Sequence, residues 1–356
     1  MKATKTSMQR TTLAPGYDIS RIIKGGWQLA GDHGSVDRQR AIQDMGDYFD
    51  AGITTFDCAD IYTGVEEMIG EFRRDYQNKH GSDSLTQLKV HTKFVPDLSL
   101  LRTIDRALVE RTIDRSLQRL NTDRLDLVQF HWWDYSVARY AEVAAWLKEL
   151  QTAGKIDKIS GTNFDTDHTR ELIDAGITLT TMQVQYSLLD QRPAKSLVDL
   201  ADASSFQLLC YGTVAGGFLS DKWLGATEPD HTIANRSLIK YKLIIDDFGG
   251  WDLFQALLGT LHRIAQKHQV SLSTIASRWV LDQPGVAGAI IGVRRADHLA
   301  EHMKVFDVLL DADDRTAIEK VLRQSTPIDG DVYTVERDIT GRHGGIMKYE
   351  LNNVVA

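Results

Sequence analysis

Four polar residues stand at or just past the ends of three consecutive apolar runs. Asp57 follows residues 53–56, Tyr62 comes five positions later, Lys93 closes the run that begins at Leu88, and His131 follows residues 125–130. A free phenol, with a pKa of about 10, is a poor proton shuttle at neutral pH. An ammonium beside it stabilises the phenolate, and a carboxylate keeps that ammonium charged and aimed. An imidazole can donate a hydrogen bond to a substrate oxygen or share a proton with the phenol. Together these groups suit protonation of a carbonyl oxygen as negative charge develops there. The other half of such a reaction is a hydride, which no side chain supplies and a nicotinamide cofactor does. Taken singly, Asp57 reads equally well as a turn cap, Lys93 as an edge charge and His131 as a core histidine. The case for chemistry is their joint placement on neighbouring strand ends.

The elements that must position them alternate along the chain. Short apolar runs are expected as strands at 22–23, 53–56, 88–94, 125–130, 156–160, 180–184, 206–211 and 287–291. Helical patterns lie between and after them, at 37–51, 66–79, 105–120, 140–152, 166–175, 193–201, 251–268, 273–282, 296–304 and 312–322. In the third of these, Ile104, Leu108, Ile113, Leu117 and Leu120 form one apolar stripe. Strands that each lead into a helix imply a parallel sheet with right-handed crossovers, and eight is the number that closes a barrel. An open doubly wound sheet would carry G-x-G-x-x-G after its first strand, where this chain has Gly25-Gly26-Trp27-Gln28. The expected fold is α/β, a (β/α)8 TIM barrel over 20–324, with an N-terminal extension at 1–19. A C-terminal tail, 325–356, is expected to pack on the barrel or near its mouth. Residues 213–250 are too long for a plain connection and read as a lid or a disordered segment. Active sites of such barrels form at the C-terminal strand ends, where Asp57, Tyr62, Lys93 and His131 converge.

The bulk properties narrow the partners. The 356 residues carry a net charge of −8, which argues against nucleic acid or an anionic membrane as default partner. No apolar run is long enough to span a bilayer, and residues 1–14 lack the apolar core of a secretory signal. Two cysteines, Cys58 and Cys210, in apolar segments read as buried, reduced thiols of a cytoplasmic protein. No Cys/His cluster has metal-ligand spacing, so no metal is expected and a metal-dependent barrel hydrolase is disfavoured.

Three motifs bring in a family resemblance. Thr54-Thr55-Phe56-Asp57-Cys58-Ala59-Asp60-Ile61-Tyr62-Thr63-Gly64, His91-Thr92-Lys93-Phe94 and Asp123 to Trp132 resemble, in order and separation, signatures of the aldo-keto reductases. The nearest subgroups are those related to potassium-channel β subunits. The resemblance covers most of 20–305. It implies a catalytic tetrad of Asp57, Tyr62, Lys93 and His131, with Tyr62 as general acid, Asp57 and Lys93 tuning it, and His131 orienting the carbonyl. It also implies cofactor contacts. Gly26 and Trp27 would lie beside the nicotinamide, Thr162, Asn163 and Gln185 would hold its carboxamide, and Tyr211 would stack on its ring. Gly212, Gly217, Leu219 and Lys222 would form a clamp over the pyrophosphate, and Gly292, Arg294, His298, Glu301 and His302 would hold the adenosine end. Arg294 or Arg295 would pair with a 2′-phosphate, since a guanidinium matches phosphate bidentately. Arg294 could equally stack on adenine; the family resemblance favours NADP(H), with NAD(H) possible. Trp27, Trp132 and Trp133 are expected to wall the pocket for a small-molecule carbonyl substrate with an apolar or aromatic portion, or for a sugar face. An NAD-dependent alcohol or sugar dehydrogenase with the same tetrad, and a cofactor-sensing regulatory subunit, stay open beside the reductase. Oligomeric state is not legible.

Overall fold

The computed structural model describes residues 7–30, 36–229, 236–292 and 295–352. Two short strands, β1 (Arg10–Ala14) and β2 (Tyr17–Ser20), form an antiparallel hairpin. Eight further strands follow: β3 (Ile22–Gly25), β4 (Thr55–Asp57), β5 (Lys89–Phe94), β6 (Leu125–Phe130), β7 (Ile156–Thr162), β8 (Thr181–Gln185), β9 (Gln207–Tyr211) and β10 (Val286–Gly292). They pair in parallel in sequence order, and β10 closes on β3 to complete the barrel. Helices lie between these strands, for example Arg38–Asp50, Val65–His80 and Arg106–Arg119.

Strand periodicity assigns the faces. In β6, Val128 and Phe130 join the large core between barrel and helices, while Leu127 turns into the barrel. The same alternation turns Asp57, Lys93, Gln129 and Gln183 inward near the C-terminal ends. Helix starts are fixed by local chemistry: the Asp105 carboxylate caps Arg106–Arg119 by accepting from the Leu108 N–H at 2.7 Å.

Three regions depart from expectation. Residues expected as a plain extension supply the β1–β2 hairpin, whose Leu13, Tyr17 and Ile19 pack with Ile23, Leu127 and Leu209 as a small separate core. The pattern at 296–304 forms a 3-10 turn, Ala296–His298, and a short helix, Leu299–Met303, in place of one continuous helix. The long segment 213–250 contains the helix Arg236–Phe248. Ile244, Ile245 and Phe248 sink into the core, while Ser237, Lys240 and Tyr241 line a cavity at the barrel mouth.

The tail beyond residue 325 packs across the same mouth. Its helix Thr334–Arg337 places Glu336 against Arg192, with bonds of 2.8 and 2.9 Å, and Arg192 also grips Asp190 at 2.9 and 2.7 Å. Arg337 donates to the Trp132 and Trp133 carbonyl oxygens, the Tyr135 hydroxyl and the Asn163 carbonyl oxygen. Among the described residues, no helix is long and apolar enough to cross a membrane, and no group of three acidic, histidine or cysteine side chains could hold a metal ion.

Candidate active site

The C-terminal ends of the barrel strands open into a cavity of about 900 Å³, at the large end of the range for small-molecule sites. Asp57, Tyr62, Lys93 and His131 all line it. Lys93 Nζ donates to both carboxylate oxygens of Asp57 and to the Cys58 carbonyl oxygen, each at 2.8 Å. Asp57 Oδ1 also accepts from the amides of Gln129 at 2.9 Å and Gln183 at 2.6 Å. Three donors thus lock the carboxylate that holds the ammonium. Burial works against the charge on Lys93, but Asp57 and Tyr62 more than offset it and hold the ammonium above its ordinary value.

Tyr62 is half-buried, and its ring centroid lies 5.0 Å from Lys93 Nζ. Burial pushes its phenol up to about 12; the Lys93 charge pulls it down, and Asp57 pushes it up again. Lys93 was expected to leave Tyr62 poised below its free value, but desolvation outweighs it. Tyr62 is a protonated phenol at neutral pH and can give a proton to a developing alkoxide.

His131 is neutral. Burial, with help from the nearby Arg337 charge, lowers its pKa to about 3. Its Nδ1 lies 3.1 Å from the Thr162 carbonyl oxygen, which can only accept, so the proton sits on Nδ1. Nε2 then carries a lone pair, and it has no partner among the described residues. In this tautomer His131 accepts a hydrogen bond from a hydroxyl and has no proton to offer a carbonyl oxygen. The rings of Trp133 and Tyr333 stand edge-on to it at 4.2 and 5.6 Å.

Of the other expected residues, Trp27, Trp133, Thr162, Asn163, Tyr211, Gly212, Gly217, Gly292 and His298 line the cavity. Asn163 holds a left-handed backbone, φ 61°, and its side-chain oxygen accepts from the Tyr211 hydroxyl at 2.9 Å. Trp27 donates to the Ser237 hydroxyl at 3.3 Å and lies 5.0 Å from the Tyr62 ring.

Several expected contacts lie elsewhere. Trp132 is fully buried in the wall, its indole N–H donating to the Asp134 and Val137 carbonyl oxygens. Strand alternation explains this: His131 faces inward, so the next residue faces out. Gln185 is buried against Asp190 at 2.6 Å, and Gln183 lines the cavity instead. Gly26 donates its N–H to the Asp57 carbonyl oxygen at 2.8 Å and packs against Val65, leaving Gly25 on the cavity. Leu219 is a core side chain, and Lys222 lies beside the Trp223 ring, away from the cavity. Glu301 is occupied by Ser271, Thr274 and Lys304, and His302 meets the Tyr48 hydroxyl at 3.3 Å. Arg294 lies outside the described residues.

The cavity also uses residues not anticipated. Gln28, Arg40 and Asp297 line it together with the expected Arg295 and His298, and Ser237, Lys240, Tyr241 and Tyr333 line it from the long segment and the tail. Gln129 and Gln183 were legible in principle, because each is an amide on the inward face of an apolar strand. The tail residues carried no periodic signal. An elongated ligand with an amide at one end and phosphates along its length fits this set. Asn163 and Tyr211 stand at the tetrad end, Gly212 and Gly217 bring left-handed backbone to the cavity wall, and Arg40, Arg295 and His298 supply basic groups.

Comparison with known proteins identifies the family. The sequence model described as "Aldo/keto reductase family" matches residues 21–323. The aldo-keto reductase YhdN of Bacillus subtilis is 28% identical over 323 residues, covering 89% of this chain and 95% of its own. The NADH-specific methylglyoxal reductase of Escherichia coli is 24% identical over 325 residues, covering 85% of this chain and 94% of its own. A glycerol dehydrogenase structure from Gluconobacter oxydans superposes with a TM-score of 0.72 at 23% identity, covering 92% of this chain and 98% of that one. The barrel, the family match over most of its length and the relatives together place the chain in the aldo/keto reductase family, as an NAD(P)H-using oxidoreductase of carbonyl and alcohol groups.

Proposed function

We propose that the protein reduces an aldehyde or ketone to the alcohol, with Tyr62 as the proton donor and NADP(H) as the favoured cofactor. The observation that carries this is the Asp57–Lys93 pair, closed by two 2.8 Å bonds beneath a protonated Tyr62 at the cavity wall. A nicotinamide cofactor, when bound, would supply the hydride to the carbonyl carbon. Tyr62 gives its proton to the oxygen, and the fixed Lys93 charge stabilises the phenolate left behind. Gln129 and Gln183 keep Asp57 from following the ammonium. His131 accepts from the hydroxyl that results, so its part is to orient the product oxygen rather than to polarise the carbonyl. Trp27 and Trp133 exclude water around the reacting groups and favour an apolar or aromatic substrate.

Arg40, Arg295 and His298 support NADP(H) because a 2′-phosphate needs cationic partners. One observation favours NAD(H) as a second reading: Arg295 is already paired with Asp297 at 3.0 Å, and that carboxylate would repel a phosphate. Fluorescence titration with NADPH and NADH, followed by steady-state assay on neutral aldehydes, tests both parts. Tighter NADPH binding with aldehyde turnover is expected. Absence of turnover on every aldehyde and ketone offered would overturn the proposed activity.

A further inference from the structure

The charges around the mouth differ in how they are answered. Lys93 is bound to Asp57, Arg192 grips Asp190 and Glu336, and Arg337 has four oxygen acceptors. Lys240 is the exception. Its side chain is 14% exposed, and it lines the catalytic cavity from the helix Arg236–Phe248. Its nearest carboxylate oxygen, on Glu336, is 4.0 Å away, and Arg192 already binds both oxygens of that group. Among the described residues, no acceptor is within hydrogen-bonding distance of Lys240 Nζ. Around it stand the rings of Tyr211 at 5.1 Å, Tyr333 at 5.6 Å and Tyr241 at 5.8 Å. A desolvated ammonium with only ring faces and a shared carboxylate near it is costly unless an anion arrives. Burial also holds this ammonium below the ordinary lysine value, against the pull of Glu336.

Its position identifies the source of that anion. Tyr333, one of the rings around Nζ, stands edge-on to His131 of the tetrad. Of the other basic groups on the cavity wall, Arg40 is paired with Asp44 at 2.9 Å and Arg295 with Asp297 at 3.0 Å, and with His298 these are the groups assigned above to cofactor phosphates. We propose that Lys240 is a specificity determinant, receiving a carboxylate or phosphate carried by the carbonyl substrate itself. This rests on the carbonyl-reductase function proposed above and names its substrate class as anionic aldehydes or ketones. Ser237, one turn before Lys240, and Tyr241, one turn after Ser237, line the same cavity beside the receiving position.

The test uses benzaldehydes bearing a carboxylate at the 2-, 3- or 4-position, each beside its neutral carboxamide. For at least one position, wild-type kcat/KM should favour the acid over the amide by roughly 10- to 100-fold, the range of one charge-assisted hydrogen bond. Lys240→Met should collapse that ratio, and Lys240→Arg should keep most of it. Equilibrium titration with benzoate and benzamide, followed by intrinsic fluorescence, reads the same preference without turnover. Benzoate should bind more tightly than benzamide to the wild type and not to Lys240→Met. A ratio unchanged by Lys240→Met, or equal losses on acids and amides, would overturn the proposal. So would a tenfold weaker cofactor Kd in that variant with the acid/amide ratio intact, which would assign Lys240 to cofactor phosphate. Turnover of neutral aldehydes without charge preference defeats this inference alone. Turnover of none, with benzoate still preferred, defeats only the proposed activity.

Discussion

Glu336→Gln should release the C-terminal tail from the barrel mouth without unfolding the barrel. Glu336 is 1% exposed and takes both outer nitrogens of Arg192, at 2.8 and 2.9 Å. The substitution removes one charge of a buried cluster, but Arg192 keeps its two bonds to Asp190, so the loss should fall below that of orphaning a buried charge outright. Two charge-assisted bonds weakened in this setting amount to about 2–4 kcal/mol. The titration of Glu336 gives a similar size. Burial opposes its charge, yet Arg192 holds the carboxyl down at about 2; against an ordinary glutamate this is ~3 kcal/mol by linkage. Arg192 also faces burial, and its two carboxylates hold it above its already high value. The sign follows: stability from Glu336 is fully present above about pH 4.5 and is lost as pH falls towards 2. Because Glu336 belongs to the tail, local undocking should absorb the loss. Hydrogen exchange should accelerate by about 30-fold or more in residues 331–349 and change little in the barrel strands. A uniform acceleration through the strands, or no change in the tail, would refute the reasoning.

Other outcomes follow from the same geometry. Lys93→Met should lower kcat on a neutral aldehyde by ~10²–10⁴-fold, with cofactor Kd little changed by fluorescence titration; near-wild-type turnover would contradict the tetrad. His91 and His131 are buried and lowered to about 3, chiefly by burial, so they fold neutral and protonate on unfolding. Burial likewise lowers His302 to about 4, so between about pH 4.5 and 6.5 stability should fall with pH by ~1.4 kcal/mol per pH unit for each of the three histidines, and His91→Gln should remove about a third of the slope in urea titrations. Gly212→Ala would place a Cβ 2.4 Å from the Tyr241 hydroxyl at φ 72°, whereas Gly217, φ 100°, has open space. Gly212→Ala should cost about 1–3 kcal/mol more than Gly217→Ala and raise the aldehyde KM, because Tyr241 and its helix must shift.

The barrel and the tetrad were legible because both follow a strict period. Apolar runs mark the strands, and polar groups at their ends have nowhere to point but the mouth. The same period would have placed the two tryptophans: Trp132 is out of phase with His131, and Trp133 is in phase. Periodicity could not choose between Gln183 and Gln185, which share a face; Asp190 claimed Gln185 at the strand's end, and Gln183, one step deeper, reached Asp57. The β1–β2 hairpin was missed because Arg10 and Asp18 interrupt short strands beside a polar terminus. The tail and the Ser237–Lys240–Tyr241 face were invisible for another reason. Their roles arise from contacts distant in sequence, such as Arg192 with Glu336 and Trp27 with Ser237.

The most direct measurement is single-turnover hydride transfer to a neutral aldehyde, followed by loss of reduced-cofactor absorbance, in wild type and Tyr62→Phe. Removing only the hydroxyl should slow the step by ~10²-fold or more while cofactor Kd stays near that of the wild type. Transfer within a few-fold of wild type would contradict Tyr62 as the proton donor, and with it the chemistry assigned to Asp57, Lys93 and His131.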